Sequence, residues 1–442
     1  MHQFNAQVEE LAAAILEYSL ERLKSDPPLD APKTEAELKE LAGETITESG
    51  MGGIAALNLF KEVLAPACIS TDHPRYLAFI PSAPSESANL FDLVVGASAL
   101  YGGSWLEGAG AVYAENQALA WLASLANFPE TSRGVFLQGG TIGNLSALVA
   151  ARDKARKTHP EIEKWAVITT SLAHSSIYSA SEIMDIELIK LEDSNKLQET
   201  INHYQSKPKH GICAVVATAG STNLGIIDDL ISIGIAANKN HIWFHVDGAY
   251  GLAGLVSEKV RPLFVGLELA DSFIVDPHKW LFAPFDACAL IYKNPKDGKD
   301  AHTQHATYLD TLNQDDEFNP SDYGIQLTRR ARGLPFWFSV AAHGTKEYEA
   351  ALDHTMDIAL QAAQLIKEHP NLELLMEPKL SIVAFTRKGW ELSDYENWSD
   401  TLLSDQIAFV TPSAHNGVPI LRFAIVNPWT QISDIKIILD RL

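Results

Sequence analysis

The sequence is poor in cysteine, in positive charge and in long apolar runs, and each shortage excludes something. Its three cysteines, Cys68, Cys213 and Cys288, are odd in number, far apart and set in apolar stretches. No disulfide framework or cysteine-based zinc site follows, and a reducing compartment fits them best. Lysine and arginine together number 34 against 56 acidic residues, a formal net charge of −22. That balance argues against nucleic acid, which needs a basic footprint, and against an anionic membrane surface. The longest uncharged runs, 134–151 and 211–227, are interrupted by Gly, Ser, Thr, Asn or Gln and do not read as membrane spans. The first ten residues carry acids and no apolar stretch, so no secretory signal is expected. A cytoplasmic protein acting on a small molecule is the expectation that remains.

What is present is a long alternation of strand-like and helix-like segments. Residues 6–24 space their apolar side chains as a helix does. Thr34 with Glu37 three residues on forms a capping-box pattern for a second helix. From about 110 to 300, seven short apolar runs, 134–138, 165–170, 187–191, 212–220, 242–247, 272–276 and 288–293, alternate with helix-compatible stretches. Apolar runs without two-residue alternation read as parallel strands buried on both faces. The pattern predicts an α/β protein with a central, mostly parallel seven-stranded sheet. Residues 334–369 read as one long helical region, and the rest as a small α+β C-terminal domain. The expected division is a helical N-terminal segment (1–70), a large α/β domain (71–335) and the small domain (336–442).

Three clusters carry chemistry. Gln138-Gly139-Gly140-Thr141-Ile142-Gly143-Asn144 lies between a strand and a helix, where glycines let backbone N–H groups approach an anion. An ordinary strand-to-helix turn needs the same residues. Asp247, in His245-Val246-Asp247-Gly248-Ala249-Tyr250, sits at the end of an apolar strand, where ligands gather in α/β sheets. It could equally cap a helix. Lys279, in Asp276-Pro277-His278-Lys279-Trp280, has apolar neighbours whose desolvation would lower its pKa and favour the nucleophilic amine. A lone lysine there is more often a snorkelling surface residue. His302 and His305 have a ligand-like spacing but no acid or cysteine stands out as a partner, so no metal is expected.

Together the clusters offer an anion loop, an acid and a lysine, groups that pyridoxal 5′-phosphate (PLP) requires. With DSFIVDPHKWLFAPFDACAL, HVDGAYG, GGTIGNLSALVAAR, SLAHSSI, VATAGSTNLGIIDD, RRARGLPFW and LRFAIVNPWT, the chain resembles the group II PLP-dependent amino-acid decarboxylases over about 70–430. The resemblance implies the aspartate-aminotransferase architecture, fold type I, and decarboxylation of an L-amino acid to an amine, a carboxy-lyase reaction. It also implies a homodimer with its active site at the interface.

Residue by residue, the resemblance assigns Lys279 as the Schiff-base lysine and Asp247 as the partner of the pyridine nitrogen. It stacks His174 on the ring, sets Thr218 beside Asp247, and packs Ala249 under the ring. Gly140, Thr141, Ser272 and His278 would contribute to the phosphate site. On the residues alone, His174 could be a core histidine, and the Thr218 and Ser272 hydroxyls could bond their own backbone. Tyr308, in a long acidic loop, would protonate the substrate carbon; relatives with Phe there tend towards oxidative aldehyde formation. His73, Tyr76, Ser82 and Trp105 are the expected substrate wall. Phe285 with Tyr76 and Trp105 leans towards an aromatic amino acid, while Arg75 leaves an acidic one open. Other PLP chemistry on this scaffold, such as aminotransfer or aldehyde synthesis, and a non-catalytic role remain as alternatives.

Overall fold

The computed structural model describes residues 2–305 and 317–442. Its centre is a seven-stranded sheet made of β1 (Arg133–Leu137), β2 (Lys164–Thr170), β3 (Glu187–Leu191), β4 (His210–Thr218), β5 (Trp243–Asp247), β6 (Ser272–Val275) and β7 (Cys288–Tyr292). In space the order is β1-β7-β6-β5-β4-β2-β3. Strand β7 is antiparallel to both neighbours and every other pair is parallel, so six strands run one way. Fully buried residues such as Val216, Phe244, Val246 and Ile274 fill both faces, as helix-covered parallel strands require.

A second, antiparallel sheet of β8 (Leu372–Leu374), β9 (Ile382–Arg387), β10 (Ser413–His415) and β11 (Val418–Ala424) has the order β10-β11-β9-β8. It carries its own apolar core. Leu77 belongs to that core, and the backbone of residues 75–78 bonds to Phe409 and Ala424. The helical stretch at 334–369 is two helices, Leu334–His343 and Thr345–Glu368. Gly344, at φ 80°, takes a conformation that side-chain-bearing residues rarely adopt, which breaks the run. The capping box at Thr34 and Glu37 is formed in both directions. Among the described residues, no helix is long and apolar enough to cross a membrane.

Two tethers hold the frame around the sheet. Arg329 and Glu115, both buried, form a bidentate pair at 2.8 and 3.0 Å, and Glu115 also accepts from Gly333 N at 2.8 Å. Tyr250, just beyond β5, shares a 2.7 Å hydrogen bond with Ser381 at the edge of the second sheet. Its ring stacks on Trp280, whose indole donates to Thr355 at 2.9 Å.

Candidate active site

The carboxyl ends of β1, β2, β4, β5 and β6 open on one edge of the sheet, which is where α/β sheets bind ligands. A cavity of about 310 Å³ lies there. Gly140, Thr141, His174, Thr218, Asp247, Ala249, His278 and Lys279 all line it, with Phe285 and Asp276. A larger groove of about 600 Å³, with Lys154, Trp165 and Trp243 in its wall, lies at the opposite strand ends. Lys154 is already paired with Asp297 at 2.8 Å, and the groove lacks the converging acids and lysine of the smaller cavity.

The anion loop begins at Gly139, at φ 123°, which turns the chain from β1 into the helix Gly140–Thr158. At Gly140 a Cβ would lie 3.1 Å from Asp276 Oδ2 and 3.3 Å from Ala249 Cβ, so only glycine fits comfortably. The N–H of Gly140 points at Asp276 Oδ2, 3.2 Å away. One donor of the helix N-terminus therefore already faces a carboxylate.

Asp247 ends β5 and is 5% exposed. A carboxylate so buried must be held by donors. Asn144 Nδ2 donates to its Oδ2 at 2.9 Å, and Ala249 N to its Oδ1 at 3.2 Å. Thr218 stands opposite it in the β4–β5 register. The Thr218 N–H is taken by Asp228 at 2.7 Å, but its hydroxyl is buried without a partner.

Lys279 follows the short turn after β6. Its Nζ lies 3.0 Å from Asp276 Oδ2. Desolvation alone would lower its pKa, but the Asp276 and Asp247 charges outweigh that effect and raise it. The expectation of a depressed lysine pKa is thus corrected: the apolar neighbours are present, and two buried acids overrule them. His278 Nδ1 is 2.8 Å from the Ala287 carbonyl, and burial pushes its pKa down. His174 caps the helix Ser175–Met184, with Nδ1 accepting from Ser176 N at 3.2 Å.

Ser272 is a correction. It does not line the cavity; it starts β6, and its Oγ is taken by Trp243 Nε1 at 2.9 Å and His245 Nδ1 at 2.8 Å. Nor do the four residues expected to touch substrate line it. His73 accepts from Arg75 N at 2.9 Å, Tyr76 packs edge-on against Phe409, Ser82 donates to Ala283 O at 3.1 Å, and Trp105 heads the helix Trp105–Leu125. Within one chain, local packing and backbone bonds occupy them. Tyr308 lies outside the described residues. No sequence signal singled out Asn144, His245, Ser176 or Asp276, although all four stand inside the motifs that carry the resemblance.

The residues present fit PLP: a helix N-terminus for a phosphate, a buried acid, a lysine and a flat histidine line one cavity. Two buried oxygens without partners, Thr218 Oγ1 and Asp276 Oδ1, belong to residues of the same wall. Such orphans call for a bonding group.

Comparison with known proteins agrees. Residues 47–388 match the family model described as the pyridoxal-dependent decarboxylase conserved domain. The chain is 27% identical over 446 residues to an aromatic-L-amino-acid decarboxylase of Bacillus atrophaeus, covering 96% of this chain and 91% of that one. It is 26% identical over 442 residues to an L-2,4-diaminobutyrate decarboxylase of Acinetobacter baumannii, covering 92% and 86%. The crystal structure of Oryza sativa TDC with PLP and tryptamine superposes with a TM-score of 0.91 at 21% identity, covering 100% and 99%.

Proposed function

Because this chain belongs to the pyridoxal-dependent decarboxylase family, a PLP-dependent carboxy-lyase acting on an amino acid, we propose how its own residues divide the work. The observation that carries the proposal is the convergence of Lys279, Asp247, His174 and the Gly140 helix start on one cavity. When bound, PLP supplies an electron sink for the pair left as carbon dioxide departs.

Lys279 would be the group that holds the cofactor covalently. Asp247 would hold a proton at the pyridine nitrogen, and its burial would strengthen that pairing. His174 would cover the cofactor ring and Ala249 would support it, while Thr218 would offer its unpartnered hydroxyl. The helix start at Gly140 and Thr141, with His278, takes the phosphate. Tyr308 would supply the proton that replaces the lost carboxylate. The sheet supports the roles of Gly140, His174, Thr218, Asp247 and Lys279, since each sits at the carboxyl end of a strand or within four residues past it.

The homodimer belongs to the same proposal. His73, Tyr76, Ser82 and Trp105 stand outside the one-chain cavity, as expected if a second subunit completes the substrate side. Leu90, Leu93 and Val94, on one face of the helix Glu86–Ala97, are exposed apolar side chains that such a subunit would cover. The free thiols of Cys68, Cys213 and Cys288 fit a cytoplasmic setting. Relatives named for aromatic amino acids and for 2,4-diaminobutyrate both leave the substrate open, and Phe285 in the cavity wall favours an aromatic one.

The test is a screen of the proteinogenic amino acids with DOPA, 5-hydroxytryptophan and 2,4-diaminobutyrate, following carbon dioxide and product mass together. One substrate giving equal amine and carbon dioxide supports the reading. A keto acid or an aldehyde as main product would overturn it in favour of other chemistry on the same cofactor.

A further inference from the structure

Behind Asp247 lies a chain of buried polar groups that the reaction as outlined does not use. Trp243, His245 and Asp247 alternate along β5 and so share one face of the sheet. That face packs against the helix carrying Asn144. Trp243 Nε1 lies 2.9 Å from Ser272 Oγ, and Ser272 Oγ 2.8 Å from His245 Nδ1. His245 Nε2 lies 2.9 Å from Asn144 Oδ1. Asn144 Nδ2 reaches both Asp247 Oδ2 and Ser176 Oγ at 2.9 Å, and Ser176 Oγ is 3.0 Å from His174 Nδ1. His245 and Ser272 are fully buried and Asn144 is 1% exposed.

With His245 neutral, one arrangement of hydrogens satisfies this chain. The Asp247 carboxylate can only accept, so the Asn144 amide nitrogen must face it and the Asn144 oxygen must face His245. His245 therefore carries its hydrogen on Nε2. The indole of Trp243 can only donate, so Ser272 accepts from it and gives its own hydrogen to His245 Nδ1. Burial pushes the His245 imidazole down to about 4, in keeping with a neutral ring. On the other branch, Ser176 accepts from Asn144. Its hydroxyl hydrogen then goes to His174 Nδ1, which also accepts the Ser176 N–H. The hydrogen of a neutral His174 is left on Nε2.

We propose that Asn144, locked by the His245–Ser272–Trp243 chain, is a positioning residue that fixes the hydrogen arrangement of both working groups at once. It holds Asp247 as an acceptor facing the cavity and His174 as the Nε2–H form. This rests on the reading of Asp247 as partner of the pyridine nitrogen. Without the His245 N–H, the Asn144 amide is free to turn its oxygen towards Asp247. A donor is then replaced by a repulsive contact, and the carboxylate turns or takes up a proton of its own.

The experiment uses the full-length protein and four variants, His245→Phe, His245→Gln, Ser272→Ala and Asp247→Asn. It measures PLP affinity by titration and the ring-nitrogen protonation of bound 15N-labelled PLP by NMR, with thermal melting as the folding check. His245→Phe should weaken PLP binding about tenfold, the scale of one hydrogen bond to a charged group, and should move the ring-nitrogen signal towards the deprotonated form. His245→Gln, which keeps a donor facing Asn144, should restore both. Ser272→Ala removes one hydroxyl and should shift both readouts the same way by less; it decides the matter if the phenylalanine variant does not fold. Wild-type values in the folded His245→Phe and Ser272→Ala variants, or a loss that glutamine does not rescue, would overturn the relay. Asp247→Asn separates the two ideas. A wild-type ring signal there sinks the reading of Asp247 itself, whereas a changed signal there with none in the His245 and Ser272 variants sinks only the relay.

Discussion

Lys279 Nζ lies 3.0 Å from Oδ2 of Asp276, three residues earlier and almost fully buried. The turn that presents the lysine thus also supplies its counter-ion. Because Asp276 and Asp247 raise the Lys279 pKa, the ammonium form prevails near neutrality. Condensation with an aldehyde needs the neutral amine. Cofactor uptake should therefore speed up as pH rises towards the elevated pKa. Asp276→Asn removes the nearer charge and should move that rise to lower pH. Stopped-flow mixing of PLP with cofactor-free protein, followed by visible absorbance, reads this directly; an unchanged pH profile in the variant would show that Asp276 does not control the lysine.

Lys279→Ala should abolish amine production while leaving a folded protein that still binds PLP reversibly through the helix start and Asp247. Product mass and dialysis of the bound cofactor measure the two parts. Retained turnover in that variant would exclude Lys279 as the covalent anchor.

Tyr308→Phe tests the proton donor. With the phenol gone, the expected shift is from amine towards aldehyde, with dioxygen consumed. An oxygen electrode alongside product analysis checks it, and unchanged amine yield at the wild-type rate would remove Tyr308 from the mechanism.

The Arg329–Glu115 pair gives a prediction about stability alone. All four terminal N–H bonds of Arg329 have acceptors: the two Glu115 oxygens and the carbonyls of Gly102 and Phe136. Glu115→Ala strands a buried guanidinium and should cost about 3–5 kcal/mol. Replacing both partners with apolar residues of similar volume should cost less than the single change. Urea unfolding of the single and double variants decides it; equal losses would mean that packing, not charge, sets the penalty.

The strands, their parallel run and the residues at their ends were legible in the sequence, because each rests on local facts. Apolar runs bounded by turn residues specify buried strands, and Gly140, Asp247 and Lys279 follow such runs directly. The assignment of Ser272 to the phosphate failed for a geometric reason. It stands four residues before Asp276, and at roughly 3.3 Å per strand residue that places it near the far end of β6. Nearness in sequence to Lys279 is distance in space along an extended chain.

Which side chains meet was decided only by the fold. Asn144 and Asp247 are 103 positions apart, and Asn144 and His245 are 101. No local pattern specifies such pairs; they follow from the β5–β6 register and from the helix laid across that face. The lysine's charge state was likewise out of reach, because whether the neighbouring Asp276 turns its carboxylate onto Lys279 and whether Asp247 comes close are both decided by the fold. The sequence by itself determined which chemical groups this protein has and on which strand ends they stand. The tertiary structure decided which of them share protons, since a hydrogen bond depends on a few tenths of an ångström between residues that only folding brings together.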